Sequence, residues 1–292
     1  MISMLVDKLN LLYLVEPNTF VRRLNVKLKQ DWNNEKWAEK RFIVNHDYKF
    51  IYCPIFKNAS TSMLSAILSI SNCRQKEKLL SGSEVTVRLY VDLNYSLASY
   101  SYEAAQKFIE GDYFRFVIVR NPWARIASAY CNFFVRLLQK GIVSEFAKDV
   151  SGFVADNIGT SDGARHVTFE QLVEYVCATE DSQLNKHCLP QYLFMGDTKF
   201  DYIVRMENLD EGLKYVCNTL NLPLKLPEIN KTRYDSSKFN DEYYRFSSMP
   251  ACELASFSNG LPDYRAFYNP RLIDMIGDRY AKSIQLFNYD FV

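Results

Sequence analysis

Along this chain a short apolar run of strand length is followed by an apolar set at helical spacing, and the succession occurs three times. Phe50, Ile51, Tyr52 and Cys53 form the first run, which Pro54 closes. From Met63 the apolar positions Met63, Leu64, Ile67 and Leu68 recur with the period of a helix. The second run, Tyr113 to Val119, is rich in β-branched and aromatic residues. Pro122 then suits the first turn of a helix, where no N–H is needed. Ile126, Ala127, Tyr130, Phe133, Phe134, Leu137 and Leu138 give that helix one broad apolar face. Phe200 to Arg205 reads as a third strand and Glu207 to Leu220 as a third helix, stopped before Pro223.

Smaller patterns lie between and around these units. Val85, Val87, Leu89 and Val91 alternate with Thr86, Arg88 and Tyr90, the period of a half-exposed strand. Tyr102 to Glu110 reads as a short helix ended by Gly111. Thr168 stands as a cap with Gln171 at the capping-box position, opening a helix through about Cys177. Pro270 begins a last amphipathic helix through Leu272, Ile273, Ile276 and Tyr280. Residues 71–84, Gly141 to Gly163 and residues 223–262 read as loops, and residues 1–45, with Trp32 and Trp37, as a lead-in of mixed apolar and basic character. Strand-then-helix units in series predict an α/β fold with a mainly parallel central sheet flanked by helices. Ligands of such sheets sit at the carboxyl ends of the strands.

Composition narrows the function more than the fold. At 292 residues the chain can build one large domain or two small ones, and its net charge of +1 provides no global field for nucleic acid. Seven cysteines without a CxxC pair suit free thiols in a reducing compartment, so a cytoplasmic setting is expected. No apolar run approaches the length of a transmembrane segment. Asp7, Lys8 and Asn10 also make the start a poor signal peptide. Asn58-Ala59-Ser60 is formally a glycosylation sequon, and a glycan there would block the first strand-to-helix turn.

That turn carries the candidate chemistry. A strand, a tight turn and a helix start present free N–H groups and the positive end of the helix dipole to an anion. Ser60, Thr61 and Ser62 can cap the helix or donate hydroxyls, and Lys57 adds a full charge. The ATP-binding loop G-x-x-x-x-G-K-[ST] is not present: the turn has no glycine, and its lysine precedes the small residues. An NTPase or kinase reading therefore lacks its motif. Arg120 lies past the end of the second predicted strand as Lys57 lies past the first, which points to one shared anionic ligand. Asn121, Arg125, Ser128 and Asn132 make a polar stripe on the following helix, which taken alone reads as a solvated face.

Together the two turns resemble the sulfotransferases, and among them the carbohydrate-sulfotransferase type. Pro54-Ile55-Phe56-Lys57-Asn58-Ala59-Ser60-Thr61-Ser62 resembles that family's 5′-phosphosulfate loop. Arg120-Asn121-Pro122-Trp123-Ala124-Arg125-Ile126-Ala127-Ser128-Ala129-Tyr130 resembles its 3′-phosphate motif, R-x-P-x-x-R-x-x-S-x-Y. His187-Cys188-Leu189-Pro190-Gln191, Phe200 to Leu209 and Tyr268 to Ile273 follow in family order. The resemblance implies a P-loop-like fold, a single domain whose catalytic core spans 46–292 behind the lead-in, and PAPS as sulfuryl donor without a metal. Lys57 with the backbone of Asn58, Ala59, Ser60, Thr61 and Ser62 would hold the 5′ end, and Arg120 and Ser128 the 3′-phosphate. Lys231 is a further candidate for a phosphate, and Trp123 for the adenine. Of the three histidines His187 is the first choice as general base, with Glu207 as the alternative. The acceptor implied is a glycan or another hydroxylated or amine-bearing molecule. A non-catalytic glycan- or anion-binding module on the same fold stays open, because fold does not fix function.

Overall fold

The computed structural model describes residues 38–72, 95–158, 163–225, 246–257 and 260–291, with positions 77 and 80. By its contacts the chain divides into Met1–Ala38 and Glu39–Val292, and the second unit is described here. The predicted strand over residues 85–91, Lys231, and most of the predicted loops at 71–84 and 223–262 lie outside the described residues.

Four strands form one sheet in chain order: β1 (Ile43–Asn45), β2 (Phe50–Cys53), β3 (Phe114–Val119) and β4 (Tyr202–Arg205). β1 runs antiparallel to β2, while β2, β3 and β4 are parallel, with Cys53 opposite Val117 and Val119 opposite Arg205. The three predicted strands are therefore present, and their carboxyl ends lie side by side. β1 falls in the segment read as a lead-in. It is only three residues long, too short for a period to show.

Burial explains the order. All of β2 and the last four residues of β3 are buried, as central strands covered on both faces require. In β4 only Val204 is buried, and Ile203 is 40% exposed, the pattern of an edge strand. Helix α1 (Ser60–Ile70) follows β2, α2 (Tyr102–Glu110) precedes β3, and α3 (Pro122–Tyr130) follows it. Met63, Leu64, Ile67 and Leu68 of α1 enter one core with Phe50, Tyr52, Phe116, Ile118 and Val204. On the opposite face Cys53 donates its thiol to the Phe194 carbonyl in the short helical turn Gln191–Phe194.

Two expectations fail. Gly141–Gly163 is largely helix α4 (Glu145–Ile158), whose start the Ser144 hydroxyl caps by accepting from Ala147 N–H at 3.0 Å. Phe146, Ala147, Val150 and Val154 supply its buried face at helical spacing, diluted in sequence by Gly152, Ser151 and Asp149. The polar stripe is not solvated either: Asn121, Arg125 and Ser128 are 4%, 1% and 6% exposed, every residue of α3 is buried, and only Asn132, beyond the end of α3, is half-buried. Helix α5 (Phe169–Ala178) has the predicted capping box from Thr168 and Gln171. Helix α6 (Leu209–Leu220) follows β4 after a short 3-10 turn, Met206–Asn208. The chain then passes through α7 (Ala251–Ala255), a short helix inside the segment read as a loop, α8 (Pro270–Arg279), which Pro270 begins as predicted, and α9 (Ala281–Phe287), a further helix beyond the one read as last.

Two glycines test this packing with opposite signs. A Cβ on Gly212 of α6 would stand 2.6 Å from Val204 Cγ1, a stiff β-branched side chain in the core, so Gly212→Ala lowers stability by about 1–3 kcal/mol. A Cβ on Gly152 of α4 meets nothing within 4 Å, so Gly152→Ala raises stability by about 0.5–1 kcal/mol. Denaturant midpoints of the two variants against wild type measure both.

Candidate active site

The turn Pro54–Ala59 leaves the carboxyl end of β2 with two side-chain-bearing residues in the left-handed region, Lys57 at φ 70° and Ala59 at φ 53°. Each costs on the order of 1–3 kcal/mol and persists only where its surroundings over-determine it. Here three successive carbonyls are fixed: Ile55 O accepts from Asn58 N–H at 3.3 Å, Phe56 O from Arg125 Nε at 2.9 Å, and Lys57 O from Arg120 Nη1 at 3.1 Å. Asn58 is wholly buried and donates Nδ2 to Ile118 O at 2.8 Å and to Gln191 Oε1 at 2.6 Å. A glycan on Nδ2 would displace both bonds, so this packing requires an unmodified Asn58.

The start of α1 follows at once. Ala59 is its N-cap and has no side chain to cap with, and Ser60, Thr61 and Ser62 form the first helical turn instead of capping it. Amides of a first turn have no intrahelical acceptor, and left-handed residues ahead of them make an anion-binding concavity.

Gln191 joins this turn to the second one. Its Oε1 accepts from Arg120 N–H at 2.9 Å as well as from Asn58, and its Nε2 donates to Arg120 O at 2.7 Å. Because a backbone N–H can only donate, the contact fixes which end of the amide is oxygen. The N–H of Asn121 donates to Glu207 Oε1 at 2.8 Å, and Glu207 Oε2 accepts from Tyr289 O–H at 2.9 Å. Asn121 caps α3 through Oδ1, and its Nδ2 donates to Asp290 O at 2.8 Å. Arg125 extends from α3 to Phe56 O and to Leu189 O, the latter at 2.7 Å, so its partners are carbonyls rather than a carboxylate.

His187 lies between two phenyl rings, 4.8 Å from Phe56 and 4.4 Å from Phe133 by ring centroid. Asn185 Oδ1 accepts from His187 N–H at 3.0 Å, which identifies it as oxygen, and contacts Nδ1 at 2.8 Å. In the neutral ring Nδ1 is therefore the donor and Nε2 the basic nitrogen. Phe133 also lies beneath the Lys57 ammonium, at 5.8 Å. It belongs to a π-helical turn, Cys131–Arg136, that widens α3 at its end.

Lys57 is partly buried. Loss of water lowers its pKa most, Arg120 lowers it further, Cys131 partly opposes them, and Arg136 and Arg125 add smaller decreases, to about 7. Burial pushes the Cys131 thiol up to about 12.

The structure thus brings together Lys57, Asn58 and Arg120, and brings His187 to the same turn through Phe56 and Phe133. Glu207 joins the Arg120–Asn121 peptide. Ser128 lies buried two turns into α3, and no hydrogen bond links it to Arg120 or Lys57 among the described residues. Trp123 is 5% exposed and donates Nε1 to Ile273 O at 3.0 Å, so it presents little face to an adenine. Gln191 and Phe133 were not singled out by the sequence. No local pattern marks Gln191 in the segment after His187, and the regular helical period places Phe133 on the apolar face. Among the described residues no cluster of His, Cys, Asp and Glu could hold a metal ion, and no helix is long and apolar enough to cross a membrane.

A model described as the sulfotransferase family matches residues 40–290. Carbohydrate sulfotransferase 14 of Danio rerio is 25% identical over 224 residues, 72% of this chain and 57% of the relative. Carbohydrate sulfotransferase 14 of Homo sapiens is 25% identical over 193 residues, 63% and 47% respectively. Carbohydrate sulfotransferase 11 of Rattus norvegicus is 23% identical over 218 residues, 70% and 60%. The chain spans 47% to 60% of the length of these curated relatives. No solved structure matches it.

An anion against Lys57 favours the ammonium and raises its pKa. The sign follows: below about 7 the lysine is already charged and affinity is full, and above that value binding must take up a proton. Sulfate keeps a constant charge over this range and is a clean probe. Its affinity falls about tenfold or more between about pH 6 and about pH 9, and Lys57→Met removes most of that fall. Calorimetric titration across pH measures both.

Proposed function

Because the chain belongs to the sulfotransferase family, we propose that it moves a sulfuryl group from PAPS to a hydroxyl of a carbohydrate acceptor. The observation that carries this reading is the meeting of two cationic turns, Lys57 after β2 and Arg120 after β3, at one hydrogen-bonded junction. A donor with phosphate at both ends needs two anion sites a fixed distance apart, and the parallel register of β2 and β3, which sets the two turns side by side, supports this reading. No carboxylate appears among the described partners of Lys57, Arg120 and Arg125, which suits a polyanion. The names of the curated relatives support a carbohydrate as acceptor; an amine is the variant of the same chemistry.

In this reading Lys57 and the backbone amides of Ala59 to Ser62 stabilise the charge that grows on the leaving phosphate oxygen, while the Asn58 amide, expected to join them, is taken by Ile55 O. Arg120 holds the 3′-phosphate as a planar fork, with Ser128 and Lys231 as further candidates. His187 Nε2 takes the proton of the acceptor hydroxyl as its oxygen bonds to sulfur and the bond from sulfur to the phosphate oxygen breaks. Asn185 holds the ring in the tautomer this requires. The step is in-line positioning and charge stabilisation, by analogy with phosphoryl transfer, and needs no metal. We read Glu39–Val292 as one catalytic unit. The buried free thiols of Cys53, Cys131 and Cys188 support a reducing, cytoplasmic setting.

Calorimetric titration with the desulfonated 3′,5′-bisphosphate nucleotide tests the donor. Wild type binds at about micromolar affinity and ATP far more weakly. Arg120→Ala loses about a hundredfold, as removal of a charge-assisted bidentate contact implies. A preference for ATP with magnesium would overturn the reading.

A further inference from the structure

We propose that Glu207, oriented by Tyr289, is a positioning residue that fixes Arg120 for the 3′-phosphate and does not act as the general base. The inference rests on the proposed donor site and adds to it a selectivity device. The peptide between Arg120 and Asn121 is held at both edges: its carbonyl accepts from Gln191 Nε2 at 2.7 Å, and its N–H donates to Glu207 Oε1 at 2.8 Å. The C=O and N–H of one peptide point in opposite directions, so gripping both fixes the plane. The preceding peptide is held as well, through Arg120 N–H to Gln191 Oε1. With both flanking planes set, the direction in which the Arg120 side chain leaves the strand end is set too.

Glu207 is the one of these grips that lies on a surface turn, and it has its own support. Its second oxygen accepts from Tyr289 O–H at 2.9 Å, and Tyr289 is 6% exposed. Arg205, which ends β4, donates Nη2 to Phe287 O at 2.5 Å and lies 5.0 Å over the Tyr289 ring. Asp290 O accepts from Asn121 Nδ2, and the Phe291 ring packs edge-on to Trp123 at 5.7 Å. The segment Phe287–Phe291 therefore reaches across from β4 to the start of α3 and braces the Arg120 turn from outside. A base must offer a carboxylate oxygen to the acceptor hydroxyl. Both oxygens of Glu207 are already engaged, one by the Asn121 backbone N–H and one by the Tyr289 hydroxyl.

Gln can keep both contacts, one through its carbonyl oxygen to Asn121 N–H and one by donating to the Tyr289 oxygen. Ala keeps neither. The test measures affinity for the 3′,5′-bisphosphate nucleotide and for the 5′-monophosphate, together with turnover, in Glu207→Ala, Glu207→Gln and Tyr289→Phe. In Glu207→Ala the preference for the bisphosphate shrinks about tenfold or more while monophosphate affinity holds. Tyr289→Phe shifts the same ratio less, and serves if Glu207→Ala does not fold. Glu207→Gln keeps both the ratio and turnover. Equal loss of both nucleotides would overturn the proposal in favour of a merely structural contact. Loss of turnover with unchanged affinities in Glu207→Gln would overturn it in favour of a base. If wild type itself shows no preference for the bisphosphate, the donor-site reading fails first, and the proposal with it.

Discussion

A single buried amide makes one site of two turns. Gln191 is 1% exposed, and its side chain contacts the turn after β2 through Asn58 and the turn after β3 through both backbone groups of Arg120. A buried amide is tolerable only when its polar atoms are satisfied, so the geometry of this junction is narrowly specified. Everything proposed for the site follows from it: the left-handed turn at Lys57 is closed by Asn58, and Arg120 in turn ties back to the Lys57 carbonyl. Arg125 adds a second tie from α3 to the same turn and to the segment carrying His187.

This construction concentrates positive charge where water is scarce. A lysine whose pKa falls to about 7, next to Arg120, Arg125 and Arg136, is a group whose environment disfavours its own charged form. Such an arrangement lowers stability in the absence of a counter-charge and is relieved by an anion. The strain of two non-glycine left-handed residues in the same turn belongs to the same pattern. The left-handed residues and the crowded cations lie past the carboxyl ends of the strands, while the apolar core on the α1 and α6 face is packed from ordinary aliphatic and aromatic side chains.

How much of this the sequence carried depends on the range over which each feature is encoded. The strand-then-helix succession was legible because β2, β3 and their helices each have a local period. The capping box at Thr168 and Gln171 is likewise written within four residues. Helix α4 was hidden because its apolar residues are separated by Gly152, Ser151 and Asp149, which individually signal a loop. Lys57 and Arg120 were legible as residues after strand ends, but their connection was not. Gln191 is 71 positions from Arg120 and 133 from Asn58, and nothing local marks a glutamine as a bridge. The π-helical turn that brings Phe133 under Lys57 breaks the very period used to place that residue on the apolar face. The burial of Asn121, Arg125 and Ser128 is a tertiary fact, since a polar stripe on an isolated helix has the same appearance whether water or carbonyls receive it.

The most direct measurement is bisphosphate-nucleotide affinity in Gln191→Met, a change that keeps the side chain's length and removes its hydrogen bonds. The account predicts a cooperatively folded protein whose affinity falls about tenfold or more, because the two anion sites no longer hold their spacing. Unchanged affinity in a folded Gln191→Met protein would contradict it.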